Sequence, residues 1–194
     1  PPRRRCSFVA LPFVGHAHAT GEVLGLGIAL GADLAHELRR ALLQLFGFDR
    51  LDGPRIDRIR VPDLGLTLPL APPDGRWALE PGRWIGPARR WASALPVVLD
   101  WFPKRDRGFE EIVRQGIVVA GYPEPAAIEL RPASAVPGAP FLRRHDRKRR
   151  AAEPVRPWAH LVVEFGVDLT GPVLLGHMRH LGLGLCAPLP NGDE

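Results

Sequence analysis

The apolar positions of this 194-residue chain change period several times. Residues 7–14, SFVALPFV, and 22–30, EVLGLGIAL, are continuous apolar runs of strand length joined by GHAHATG, a pattern that predicts two strands around a short turn. Over ADLAHELRRALLQLFG the period lengthens. Leu34, Leu38, Leu42 and Leu45 recur at spacings of four, four and three, with Asp33 as the cap and Gly47 as the stop of a helix. Between 54 and 103, proline and glycine punctuate strand-like pieces at 55–61, 64–70 and 93–100. The helical period returns through Phe109, Ile112, Val113, Ile117 and Ala120, although Gly116 costs such a helix about 1 kcal/mol relative to alanine. AAIELR at 126–131 follows, and then AHLVVEFG at 159–166, where Leu161, Val163 and Phe165 alternate with His160, Val162 and Glu164. That alternation predicts a strand with His160 on its polar side. The connections are too irregular for a doubly wound parallel sheet. The order predicts one α+β domain over residues 1–194, a ferredoxin-like βαββαβ sandwich with β-hairpin additions and a C-terminal glycine-rich loop.

Composition narrows the classes open to this fold. A hydrophobic content of 45% supports a real core. Cys6 and Cys186 are too few for a disulfide framework and lack the paired spacing of a zinc site, so a reduced, cytoplasmic protein is expected. No apolar run approaches the roughly 18 residues that a membrane span requires, so no membrane partner is expected. The net charge of +5 is concentrated in one place: RRHDRKRR, residues 143–150, carries six basic residues and one acid. That leaves 20 of the 26 basic and 20 of the 21 acidic residues elsewhere. Flanked by Pro137, Pro140, Pro154 and Pro157, the segment 143–157 reads as a flexible basic linker, and Arg143, Arg144, Arg147, Lys148, Arg149 and Arg150 as contacts for a polyanion.

Two short stretches carry candidate chemistry. His16 and His18 lie two residues apart after the first apolar strand and share a face if the chain is extended there. Paired imidazoles accept and donate protons near neutral pH, enough for acid–base chemistry on a ribose 2′-hydroxyl without metal. A metal site would need further ligands, which stand at no recognisable spacing, and a two-histidine phosphoesterase would need the H-x-T tripeptide twice, whereas HAT occurs once. No cofactor is expected. The second stretch, GPVLLGHMRHLGLGLCAP at 171–188, sets Gly176, Gly182 and Gly184 around His177, Arg179 and His180. Glycines let backbone N–H groups approach a phosphate, and the basic side chains would face it too. Close packing or a tight turn would account for such glycines equally well.

Together these features resemble the repeat-processing endoribonucleases of the CRISPR-associated RAMP superfamily. More narrowly, LPFVGHAHATGEVLGLGIAL, ARRWASALPVVLDWFPK and GPVLLGHMRHLGLGLCAP are similar to the C-terminal half of the fused backbone-and-processing subunit of type I-G (formerly I-U) systems. The resemblance implies metal-independent cleavage of CRISPR repeat RNA, retention of the mature guide RNA, and partnership with other subunits of a type I effector complex. It maps the family's histidine onto His16 or His18 and its RNA-contacting loop onto Gly176 to Gly184. Some members of the superfamily bind RNA without cutting it, so a catalytically silent guide-RNA-binding subunit is the alternative.

Overall fold

The structure, a computed structural model, describes residues 6–31, 36–46, 56–62, 65–71, 74–103, 108–141 and 156–190. It is an α+β protein of antiparallel sheets and few helices. β1 (Ser7–Pro12) and β2 (Val23–Ala29) form an antiparallel hairpin with Ser7 opposite Ala29, as the two apolar runs predict. α1 (His36–Phe46) follows, so the predicted cap Asp33 and stop Gly47 lie outside the described residues. β3 (Arg58–Val61) and β4 (Leu66–Pro69) make a second hairpin.

The core is built on one larger sheet. β5 (Ala88–Ser93), β6 (Val97–Val98), β7 (Pro125–Arg131) and β9 (Cys186–Pro188) gather around the twelve-residue β8 (Trp158–Leu169). β5 and β6 take up β8 in succession, Ala92 opposite Val162 and then Val97 opposite Ala159, while β7 also pairs with β8 and β9 pairs with β5. Sequence pattern had placed a single strand over 93–100. The structure instead ends β5 at Ser93 and resumes at Val97, because Ala94 and Leu95 turn their N–H groups to the carbonyl of Leu185.

The period-two alternation of the sheet separates two apolar clusters. Trp91, Leu161, Val163, Phe165 and Cys186 face one side, where α3 (Phe109–Val119) lays down Ile112, Val113 and Ile117. Gly116 of α3 earns its place here: a Cβ would collide with the carboxylate of Asp100 at 2.6 Å. Ala92, Val162 and Ala187 face the other side, against Val9 and Val14 of the hairpin region, Val136, and Trp84 of the single-turn α2 (Gly82–Ile85). Each large side chain buried this way contributes about 1.5–3 kcal/mol.

His160 departs from expectation. The alternation assigned it to a polar face, yet it is 1% exposed. The hairpin side of the sheet is covered too, so the residue is accommodated by polar partners: its Nδ1 lies 3.1 Å from Ser93 Oγ, which in turn accepts the N–H of Leu161 at 2.9 Å. Burial holds the His160 imidazole below its ordinary range. Among the described residues no helix is long and apolar enough to cross a membrane.

Candidate nucleic-acid interface

The glycine-rich segment is a packed corner of the core. Gly176, Gly182 and Gly184 all have φ between 71° and 91°, which glycine adopts without strain and other residues do not. Space is also short. A Cβ on Gly184 would collide with the carbonyl of Leu175, one on Gly176 with the carbonyl of Val98, and one on Gly182 would sit 3.0 Å from the carbonyl of Phe8. Five backbone donors are engaged: the N–H groups of His177, Arg179, Leu181, Leu183 and Gly184 point to carbonyls of Val98, Gly176, Met178 and Pro96.

Its side chains are held as well. Arg179 donates to the carbonyl of Gly176 at 2.8 Å and to Oδ1 of Asp100 at 3.3 Å, in a pair whose side chains are 15% and 14% exposed. Burial pushes the Asp100 carboxyl above its ordinary range, against the pull of Arg179 and His177. Arg156, stacked over Phe102, donates to the carbonyl of Asp100. His180 Nδ1 meets Ser7 Oγ at 2.9 Å. His177 alone of the four predicted contacts between 177 and 182 is largely exposed.

The histidine turn is a different kind of place. The chain leaves β1 through Phe13 and Val14 and closes a turn in which Ala19 N–H donates to the carbonyl of His16 at 3.0 Å. Gly15 donates to the carbonyl of Pro137 at 2.7 Å, which fixes the turn to the 134–140 segment. His16 and His18 are both exposed, with ring centroids 5.4 Å apart, and His16 stacks on Phe13 at 6.0 Å. The backbone N–H of His18 donates to Nδ1 of His16 at 3.1 Å. Nδ1 of His16 is therefore an acceptor in this arrangement, which leaves Nε2 to carry a ring proton. His18 carries no such constraint.

The structure does not bring these two stretches together. Ser7, at the start of β1, contacts His180 and Gly182 packs beside Phe8, Val9 and Ala10, while His16 and His18 lie in the turn that follows the other end of the same strand. The six basic residues between Arg143 and Arg150 lie outside the described residues. Among the described residues no group of three or more His, Cys, Asp or Glu side chains gathers as a metal would require.

Beside the histidine turn stand residues that sequence reasoning missed. Trp77, in a 3₁₀ turn at Trp77–Leu79, is 48% exposed, and the guanidinium of Arg83 from α2 lies 4.5 Å over its ring and 5.4 Å over that of Trp84. A Cβ on Gly15 would collide with the guanidinium terminus of Arg83 and stand 3.1 Å from Trp77. No local motif signals this convergence, since Trp77 and Arg83 both stand more than 60 residues beyond Gly15 in sequence. Comparison with known protein families, with characterised proteins and with solved structures finds no match for the chain.

Proposed function

We propose that this protein binds CRISPR-type repeat RNA and cuts it without metal, in the manner of the RAMP endoribonucleases it resembles. The observation that carries this reading is the exposed pair His16 and His18, held with ring centroids 5.4 Å apart and in distinct hydrogen-bonding states. His18 is the general base: it takes the proton of the ribose 2′-hydroxyl as that oxygen attacks phosphorus. His16, with its proton on Nε2, donates to a phosphoryl oxygen and offsets the charge that develops there. The bond from phosphorus to the 5′-oxygen breaks, the leaving oxygen takes a proton from solvent, and the products are a 2′,3′-cyclic phosphate and a 5′-hydroxyl end. In the same reading the β7–β8–β5–β9 sheet with α3 on one face is the ferredoxin-like part of the fold, the basic run from Arg143 to Arg150 tracks the RNA backbone, and the site lies in the cytoplasm within a type I effector complex.

The separation of the histidine turn from the glycine-rich corner favours a second reading, a guide-RNA-binding subunit that does not cut. Labelled repeat RNA incubated with the protein in EDTA distinguishes the two. Cleavage with a cyclic phosphate end is expected; retention of intact RNA in a salt-sensitive complex assigns the protein to the binding class. In that complex each phosphate contact on a single strand contributes a log–log salt slope of about 0.7.

A further inference from the structure

The guanidinium of Arg83 is an unusual cation. It is half-buried, and no carboxylate among the described residues pairs with it. Its Nε is fully buried with no hydrogen-bond partner. Burial lowers its affinity for the proton, with no opposing charge to restore it. Arg114 and Arg179, also partly buried, are satisfied, the first through Glu110 and the carbonyl of Pro125 and the second through Asp100 and the carbonyl of Gly176. Stacking on Trp77 and Trp84 offsets part of the desolvation at Arg83 but leaves its donors unmet. With Nε enclosed, the two terminal NH2 groups of the planar guanidinium remain in the geometry that phosphate oxygens match.

The neighbours of this cation say which phosphate. Trp77 offers a large ring that is 48% exposed and sits against Gly15. His16 and His18 follow one and three residues along the same turn. An exposed aromatic face, an unpaired guanidinium and acid–base groups side by side are the elements that recognise a single-stranded nucleotide, the base by stacking and the backbone by charge.

We infer that Trp77, Arg83 and the turn from Gly15 to His18 form a nucleotide-binding site for single-stranded RNA, with a base stacked on Trp77 and a backbone phosphate on the guanidinium of Arg83. The inference rests on the RNA-processing reading and deepens it, because the phosphate held by Arg83 lies beside the two imidazoles. It also explains why the loop has glycine at position 15, where any side chain would displace the guanidinium.

The test measures binding of a labelled single-stranded 2′-O-methyl oligouridylate, which cannot be cut at its 2′-oxygen, across a range of salt. A repeat-type hairpin RNA runs in parallel. Trp77→Ala is expected to weaken oligouridylate binding about 5- to 100-fold with an unchanged salt slope, and Trp77→Phe to retain most of it. Arg83→Met, which keeps an apolar stem between the tryptophans, is expected to lower the log–log salt slope by about 0.7. Trp77 is a surface residue, so its variants remain informative if Arg83→Met fails to fold. Oligouridylate binding that is equal in wild type, Trp77→Ala and Arg83→Met overturns the site while leaving RNA binding intact. Wild type that retains the hairpin but not oligouridylate also overturns the site, since stacking of this kind tolerates any base. Wild type that retains neither RNA overturns the functional reading together with the site.

Discussion

The histidine turn and the glycine-rich corner look alike on paper and differ in how they are satisfied. Both combine glycine with histidine, and the corner from 171 to 188 is the denser motif, with an arginine as well. In the corner, glycines are consumed by left-handed backbone and by carbonyls packed against them, Arg179 answers Asp100 and Gly176, and His180 answers Ser7. In the turn, both imidazoles face solvent and the neighbouring guanidinium of Arg83 has no acceptor. Capacity for chemistry follows unmet donors and acceptors rather than motif density. A group already paired inside the fold must give up that pairing before it serves a ligand.

Catalysis breaks this comparison most sharply. His18→Ala is expected to lower single-turnover cleavage by about 10² to 10⁴ while weakening RNA affinity far less, because a general base acts on the reacting proton. His16→Ala should cost less, since its Nε2 donates to charge rather than taking the proton. Full activity in His18→Ala together with loss of activity in His180→Ala would move the chemistry into the corner.

Stability is the next lever. Gly184→Val places a branched side chain against the carbonyl of Leu175 at φ 71° and is expected to cost about 3 kcal/mol or more in urea unfolding. Gly166→Ala, where a Cβ meets nothing within 4 Å, is the control and should change stability by less than about 0.5 kcal/mol. Arg179→Ala should cost about 1–3 kcal/mol by leaving Asp100 without its partner. Folded, fully stable Gly184→Val protein with weakened RNA binding would restore the corner as an anion cradle.

The smallest expected effect concerns pH and a histidine of the inward kind. His160 is neutral and buried beside Ser93 in the folded protein. Both folded and unfolded chains leave it uncharged well above its ordinary value of 6.5, so its contribution is complete there. As pH falls through 6.5 the unfolded chain takes up a proton that the folded state resists, and stability declines. The urea midpoint should therefore drop between about pH 7.5 and about pH 5.5. The raised carboxyl of Asp100 acts in the opposite sense, with stability falling as pH rises, in a lower window. A midpoint independent of pH over the upper window would show that His160 is hydrated rather than buried.

Local pattern carried much of this fold. The period-two alternation of Leu161, Val163 and Phe165 and the helical spacing of Ile112, Val113 and Ile117 each named the face that the structure buries. Both signals live within one element, which is why they were legible. β5 escaped because ARRWAS follows Pro87 directly, carries charged Arg89 and Arg90, and gains its strand character from pairing with β8 on one side and β9 on the other. His160 was assigned to a polar face because a strand's own alternation does not reveal that a second layer covers that face. The histidine pair was visible as a pair. Its neighbours Trp77 and Arg83 were not, since only the packing of a distant turn against Gly15 brings them there. The anion cradle expected of Gly176, Gly182 and Gly184 took their donors as available, whereas the N–H of Gly184 meets the carbonyl of Pro96, and sequence has no means of showing which carbonyl a loop N–H will meet.

The contact between Ser7 and His180 joins residues 173 positions apart, and Gly182 packs on Phe8 of the same strand. The order in which the chain emerges during synthesis gives that closure a price in time. The β1–β2 hairpin is among the first described elements to be made, but the surfaces that cover its inner face, Leu174, Leu185 and Ala187, are among the last. Until they arrive, Val9 and Val14 are without much of their apolar cover. A topology that closes β1 with a loop made more than 160 residues later leaves the nascent hairpin open to pairing with other chains in the interval.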